Sequence, residues 1–218
     1  MFQVISITGF IIVFAGLAFH CLVFPVSGKH KWSPVAVLKK LIHLLTVVLL
    51  PQQLSLLGVL RKLLYFLTLL CFVVLAVTGF YRPLVMDEHL SGYLLMVHAT
   101  FAPVFALCVA ILAVMWAHHN RFKTADWPGL LRVLRRFIRM KTADKQDDGG
   151  QSYLVQKTAF WLIIFLALPV ILSIVLGMFP IFGTEGQQFL LNLHRYSTLA
   201  LTLTAIVHIY LIIRTQMK

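Results

Sequence analysis

The chain has 218 residues, 60% of them hydrophobic and 12% charged, with a mean hydropathy of +0.91. Soluble domains are nearer half apolar and one quarter charged. An ordinary water-soluble fold, a disordered chain and a disulfide scaffold are therefore excluded, and a polytopic membrane protein is indicated. The net charge of +12 would suit nucleic acid if one basic domain held it, but no continuous basic domain occurs.

Five segments reach the ~20 apolar residues that a membrane-crossing helix needs. The first, Phe2–Phe24, lacks a charged start and a small-residue cleavage site, so it is expected to be a retained helix. Val35–Leu50 is apolar but broken by Lys39, Lys40 and His43 and stopped by Pro51. It is too short to cross, and an interfacial helix on the cytoplasmic side is expected. Leu63–Met86 and Tyr93–Ala117 are the second and third spans. A loop follows in which apolar and basic residues share helical spacing over Leu130–Arg139, the pattern of a surface helix on anionic lipid. Thr158–Phe182 and Phe189–Ile213 complete the set. The expected architecture is all-α: a polytopic helical bundle of five transmembrane helices plus the interfacial helix, forming one domain over residues 1–218 without internal repeats.

The basic charge fixes the topology. With the N-terminus outside, 17 Lys and Arg fall on the cytoplasmic side, and only Arg82 and Arg195 fall outside. That asymmetry follows the positive-inside rule. It accounts for the charge through topology and lipid headgroups, without nucleic acid. Cys21, Cys71 and Cys108 all lie in apolar runs and form no C-x-x-C or C-x-x-C-H. Structural zinc and covalently attached haem are thus disfavoured, and the three are expected to be small buried hydrophobes.

Histidine carries the functional signal. The chain has nine, and His20, His98, His119, His194 and His208 lie within or at the ends of spans, with His118 beside His119. Ionisable groups in membrane helices are functional candidates by default, although any single one can be a neutral imidazole paired to a carbonyl. His194 and His208 are 14 residues apart. On a helix this brings both within ~40° of one face, ~21 Å apart along the axis. One helix would then supply a ligand at each of two depths, with the small residues Thr198 and Ala205 between them leaving room for a flat macrocycle. His98 matches His194 in depth, so His98 and His194 are the expected axial pair of an outer haem b. Bis-histidine ligation leaves no open iron position and suits electron transfer. Arg82 and Arg195 stand where they could meet haem propionates or, equally, headgroups. The inner partner of His208 is sought among His20, His43 and His119. His20 is favoured because it shares a face with Gly9 and Gly16, and His43 comes next.

These residues resemble the membrane b-type cytochrome subunits of respiratory formate dehydrogenases and nickel–iron hydrogenases. Three stretches carry the resemblance over roughly residues 61–214. Leu95–Asn120 has a histidine at the outer start of a span and closes Ala117-His118-His119-Asn120. Gln156-Lys157-Thr158-Ala159-Phe160-Trp161 leads into the next helix, and Leu191–Tyr210 holds the histidines 14 apart. The resemblance implies that His98 and His194 ligate one haem and His208 another. It puts a histidine 14 residues before a Ser-Gly. Counting back from Thr78-Gly79, Tyr65 occupies that position, and His20 or His43 is inferred to compensate. Two haems are expected, or one if Tyr65 marks a lost site. The extra N-terminal span is more like nitrate reductase gamma subunits. Tyr153-Leu154-Val155-Gln156-Lys157 departs from the family's quinone-site sequence, so no quinone contacts are carried over.

The expected function is a di-haem b anchor subunit of a respiratory oxidoreductase complex in the bacterial inner membrane. It would carry electrons between a partner subunit bearing an iron–sulfur or multihaem c-type centre and the quinone pool. The alternative is a haem-free transporter or assembly anchor with structural histidines. All seven Asp and Glu lie outside the five apolar segments, so a proton-coupled carrier would have to rely on histidine alone.

Overall fold

The computed structural model describes residues 1–23, 56–86, 88–124, 126–129, 131, 148–179 and 181–216. Five long helices occur among them: α1 (Phe2–Val23), α2 (Leu56–Val85), α3 (Gly92–Ala117), α4 (Asp148–Gly177) and α5 (Gly183–Gln216). All five are long and apolar enough to cross a membrane, and the chain is a multi-pass integral membrane protein. Without water in the lipid core, backbone groups must pair within each segment, which a helix achieves. The outward faces are correspondingly greasy: Ile11, Ile12, Val114 and Phe165 are all exposed. The expected interfacial segment with His43 and most of the basic run over 130–139 lie outside the described residues.

The helix boundaries correct the expected ones. α2 starts at Leu56 and α5 at Gly183, seven and six residues before the apolar runs. Hydropathy marks where lipid ends, whereas the hydrogen-bonded ladder continues into the interface. At 34 residues, α5 is ~51 Å long against a hydrocarbon core of ~30 Å. Conversely α4 stops at Gly177, short of the expected Phe182. Its last turn tightens, with the Phe179 amide donating to the Leu176 carbonyl at 3.2 Å. Gly183 then opens α5 at φ 60° and Gly92 opens α3 at φ 63°, a left-handed backbone that glycine adopts without a Cβ penalty.

The chain divides into two units, Met1–Val114 and Met115–Lys218. In the first, α1 meets α2 antiparallel. Gln3 Nε2 donates to the Leu84 carbonyl at 3.0 Å, and Phe10 stands edge-on to Phe80 at 5.4 Å. α2 and α3 meet through Phe72 and Phe105, 6.3 Å apart, and through Thr78 and His98. Cys71 and Cys108 are buried here, as expected, whereas Cys21 is only half-buried. In the second unit α4 and α5 form a hairpin tied at three depths. Gln187 bonds the Phe179 carbonyl at 2.9 Å, His194 bonds Val170 at 3.1 Å, and Gln156 bonds Leu211 at 3.5 Å.

Candidate functional site

His98 sits in the second turn of α3, against the Thr78-Gly79 step of α2. Its Nδ1 is 2.9 Å from Thr78 Oγ1. That hydroxyl also lies 2.7 Å from the Val74 carbonyl one turn back. A hydroxyl has one proton. Here it goes to Val74, the shorter contact and an oxygen that can only accept. The Thr78 oxygen therefore accepts from Nδ1–H of His98, and the imidazole lone pair falls on Nε2. Gly79 completes the seat. A Cβ there would come 3.1 Å from His98 Cε1, so any other residue would press on the ring and shift it by a few tenths of an ångström.

His194, on α5, is held in the same sense by different atoms. Its Nδ1 is 3.1 Å from the Val170 carbonyl and 3.4 Å from Ser173 Oγ. The carbonyl can only accept, so Nδ1 carries the proton and Nε2 the lone pair. Ser173, 1% exposed, donates to the same carbonyl at 3.0 Å. Pro169 precedes Val170 inside the helix and removes one ladder bond there. Above this level a cavity of about 700 Å³ lies between α4 and α5, lined by Ser173, Gly177, Gln187, Leu190 and Leu191.

α5 runs unbroken through both His194 and His208, so the expected four-turn separation on one face is present. The strip between them is less open than expected. Leu201 shares it with Thr198 and Ala205, and Leu201 and Ala205 are buried. His208 Nδ1 and Thr198 Oγ1 are buried and meet no hydrogen-bond partner among the described residues. His20 is half-buried near the end of α1, Arg195 is half-buried beside His194, and Tyr65 is partly exposed on α2. Arg82 is engaged in its own loop, by Glu88 at 3.5 Å, by the His89 carbonyl at 3.4 Å and by the Ser91 hydroxyl. His119 stacks edge-on to Trp116 at 5.3 Å. Among the described residues no three His, Cys, Asp or Glu side chains converge.

The Gln156–Trp161 stretch proves to be a clasp. Lys157 Nζ, its side chain 4% exposed, pairs with Asp126 at 2.9 Å and donates to the Arg121 carbonyl at 3.2 Å. Trp161 Nε1 donates to the Asn120 carbonyl at 2.8 Å, and Asn120 caps back onto Trp116 at 3.2 Å. The polar residues of two sequence motifs thus bind the 116–129 loop to α4. The Lys123 amide, with Lys157 beside it, holds the Asp126 carboxyl below the usual carboxylate range.

Sequence reasoning missed Thr78 as a partner of His98, Val170 and Ser173 as partners of His194, and Asp126 altogether. A buried hydroxyl inside an apolar span was the available signal for the first and third. A backbone carbonyl has no sequence signal.

The family model described as prokaryotic cytochrome b561 matches residues 58–218. Searches among curated proteins and among solved structures found no match. The family match spans the two histidine-bearing helices just described, together with the clasp. The chain belongs to the prokaryotic cytochrome b561 family, as a cytochrome-b-type membrane protein of electron transfer.

Proposed function

We propose that the chain is the di-haem b membrane-anchor subunit of a respiratory oxidoreductase complex in the bacterial inner membrane, a single cytochrome b domain passing electrons between a redox partner subunit and the quinone pool. His98 and His194 are the axial pair of the outer haem. His208, with His20 or His43, serves the inner one, and Arg195 and Arg82 are assigned to the propionates, Arg82 in exchange for its contacts with Glu88 and the 89–91 loop. The partner subunit carries an iron–sulfur or multihaem c-type centre.

One observation carries the reading. His98 and His194, on different helices, each hold Nδ1 within hydrogen-bond distance of a neutral oxygen, and the donation assigned from the acceptors keeps the lone pair on Nε2. Metal-binding histidines almost always commit the far ring nitrogen in this way, which fixes tautomer and ring orientation. The missing Cβ at Gly79 also fits a ring held close to its helix, whereas His208 Nδ1 has no such partner among the described residues, so its assignment rests on its place on α5. Haem b held by two imidazoles supplies one-electron chemistry with no open position on iron. The residues of the chain hold, orient and exclude water.

Pyridine haemochrome assay of the protein purified from membranes tests this. About two b haems per chain are expected for two bis-histidine sites. A value near one removes the inner site, and a value near zero overturns the reading in favour of a haem-free anchor.

A further inference from the structure

We infer that Thr78 is a positioning residue for the outer redox centre, its hydroxyl setting both the orientation of the His98 ring and the reduction potential of the iron that ring would bind. The inference rests on the proposed haem ligation by His98.

The Thr78-Gly79 step works as one device with two parts. Thr78 is 6% exposed and cannot exchange its partners for water. Its proton is given to Val74 at 2.7 Å, which polarises the oxygen and strengthens it as an acceptor. That oxygen takes the Nδ1 proton of His98 at 2.9 Å. Gly79, next along the chain, leaves space for the same Nδ1–Cε1 edge of the ring, where a Cβ would stand 3.1 Å from Cε1 and 3.6 Å from Nδ1. The hydroxyl therefore pulls on one edge of the imidazole while the absent side chain lets the ring approach. Donation from Nδ1–H makes an imidazole a stronger electron donor through Nε2 and favours ferric over ferrous iron. Loss of the hydroxyl should raise the reduction potential.

The outer site is also asymmetric. Each acceptor comes from a neighbouring helix, but that of His194 is a backbone carbonyl, shared with Ser173 at 3.0 Å, whereas that of His98 is a side-chain hydroxyl. Replacing Thr78 therefore removes the acceptor itself without touching either ligand, whereas replacing Ser173 leaves the Val170 carbonyl in place for His194.

The test is redox titration and low-temperature EPR of the haem-loaded protein as Thr78→Val, Thr78→Ser and Gly79→Ala. In Thr78→Val the expected result is an upward shift of one haem by roughly tenfold in its ferric-to-ferrous equilibrium, about 59 mV for one electron, with the other haem unmoved. Thr78→Ser should match the parent, because it keeps the hydroxyl. Gly79→Ala keeps the hydrogen bond but displaces the ring, and should move the largest g value of the same haem. If Thr78→Val does not accumulate, Thr78→Ala, which removes the hydroxyl without adding bulk, is read in its place. An unchanged potential without the hydroxyl, or a shift in Thr78→Ser equal to that in Thr78→Val, overturns the inference. Absence of haem from the parent protein overturns instead the reading beneath it, so the two failures are distinct.

Discussion

At the scale of single residues, the chain uses the same chemistry in a membrane helix and at its rim. Several polar side chains in the apolar spans are satisfied by atoms one helix away or one turn back, as Thr78, Ser173 and Thr204 show. At the rim Lys157 is nearly sealed from solvent and depends on Asp126. The Asp126 carboxyl ionises more readily when folded, so its stabilising effect is complete above the ordinary carboxylate pKa and is lost as pH falls through the lower, folded value. Thermal unfolding in detergent between pH 7 and pH 3 should show this decline in the parent. The Asp126→Asn protein should start lower at pH 7 and fall less steeply, and parallel curves would remove Asp126 from the account. The candidate histidines stood out in the sequence because imidazole is rare in apolar runs. Their supports were not, because threonine and serine are common there and only contact distinguishes a hydrogen-bond acceptor from a filler.

At the scale of elements, the spans were legible and their ends were not. Apolar composition locates the part of a helix inside lipid, but α2 runs through Arg61 and Lys62 without breaking, as long basic side chains at a helix end carry their charge toward the interface. Gly177 and Gly183 set the α4–α5 turn, and neither stands out within a hydropathy window. The continuity of α5 has a direct consequence. An alanine inserted after Leu203 rotates everything beyond it by ~100°, so His208 leaves the face that His194 keeps. On the proposed ligation the outer haem survives and the inner one is lost, halving the haemochrome signal. Retention of both would show that His208 is not a ligand. The Gln-Lys motif shows the opposite limit of sequence reasoning, since its pattern was visible while its work, fastening a loop onto α4, became clear only from the contacts of Lys157 and Trp161.

For the whole molecule, the distribution of charge gives the strongest expectation. Seventeen of the 19 Lys and Arg fall on one side when the N-terminus is outside. Alkaline phosphatase fused within residues 87–91 or 178–182 should therefore be active, and fusions within 118–147 or at the C-terminus inactive; the reverse pattern would overturn the topology. Orientation matters energetically, because an electron moving inward works against an inside-negative potential at roughly 2.3 kcal/mol per 100 mV. The family match begins at residue 58, so α1 lies outside it, and its role was legible only as an additional crossing. The oxygens that face His98 and His194 have a consequence for bioenergetics. A threonine hydroxyl and a peptide carbonyl are far too weakly basic to strip an imidazole of its remaining hydrogen, as a buried aspartate can begin to do. On the proposed ligation, valence changes at such a centre would leave the protonation of its two imidazoles untouched, and any coupled H⁺ would have to be exchanged at groups other than the ligands.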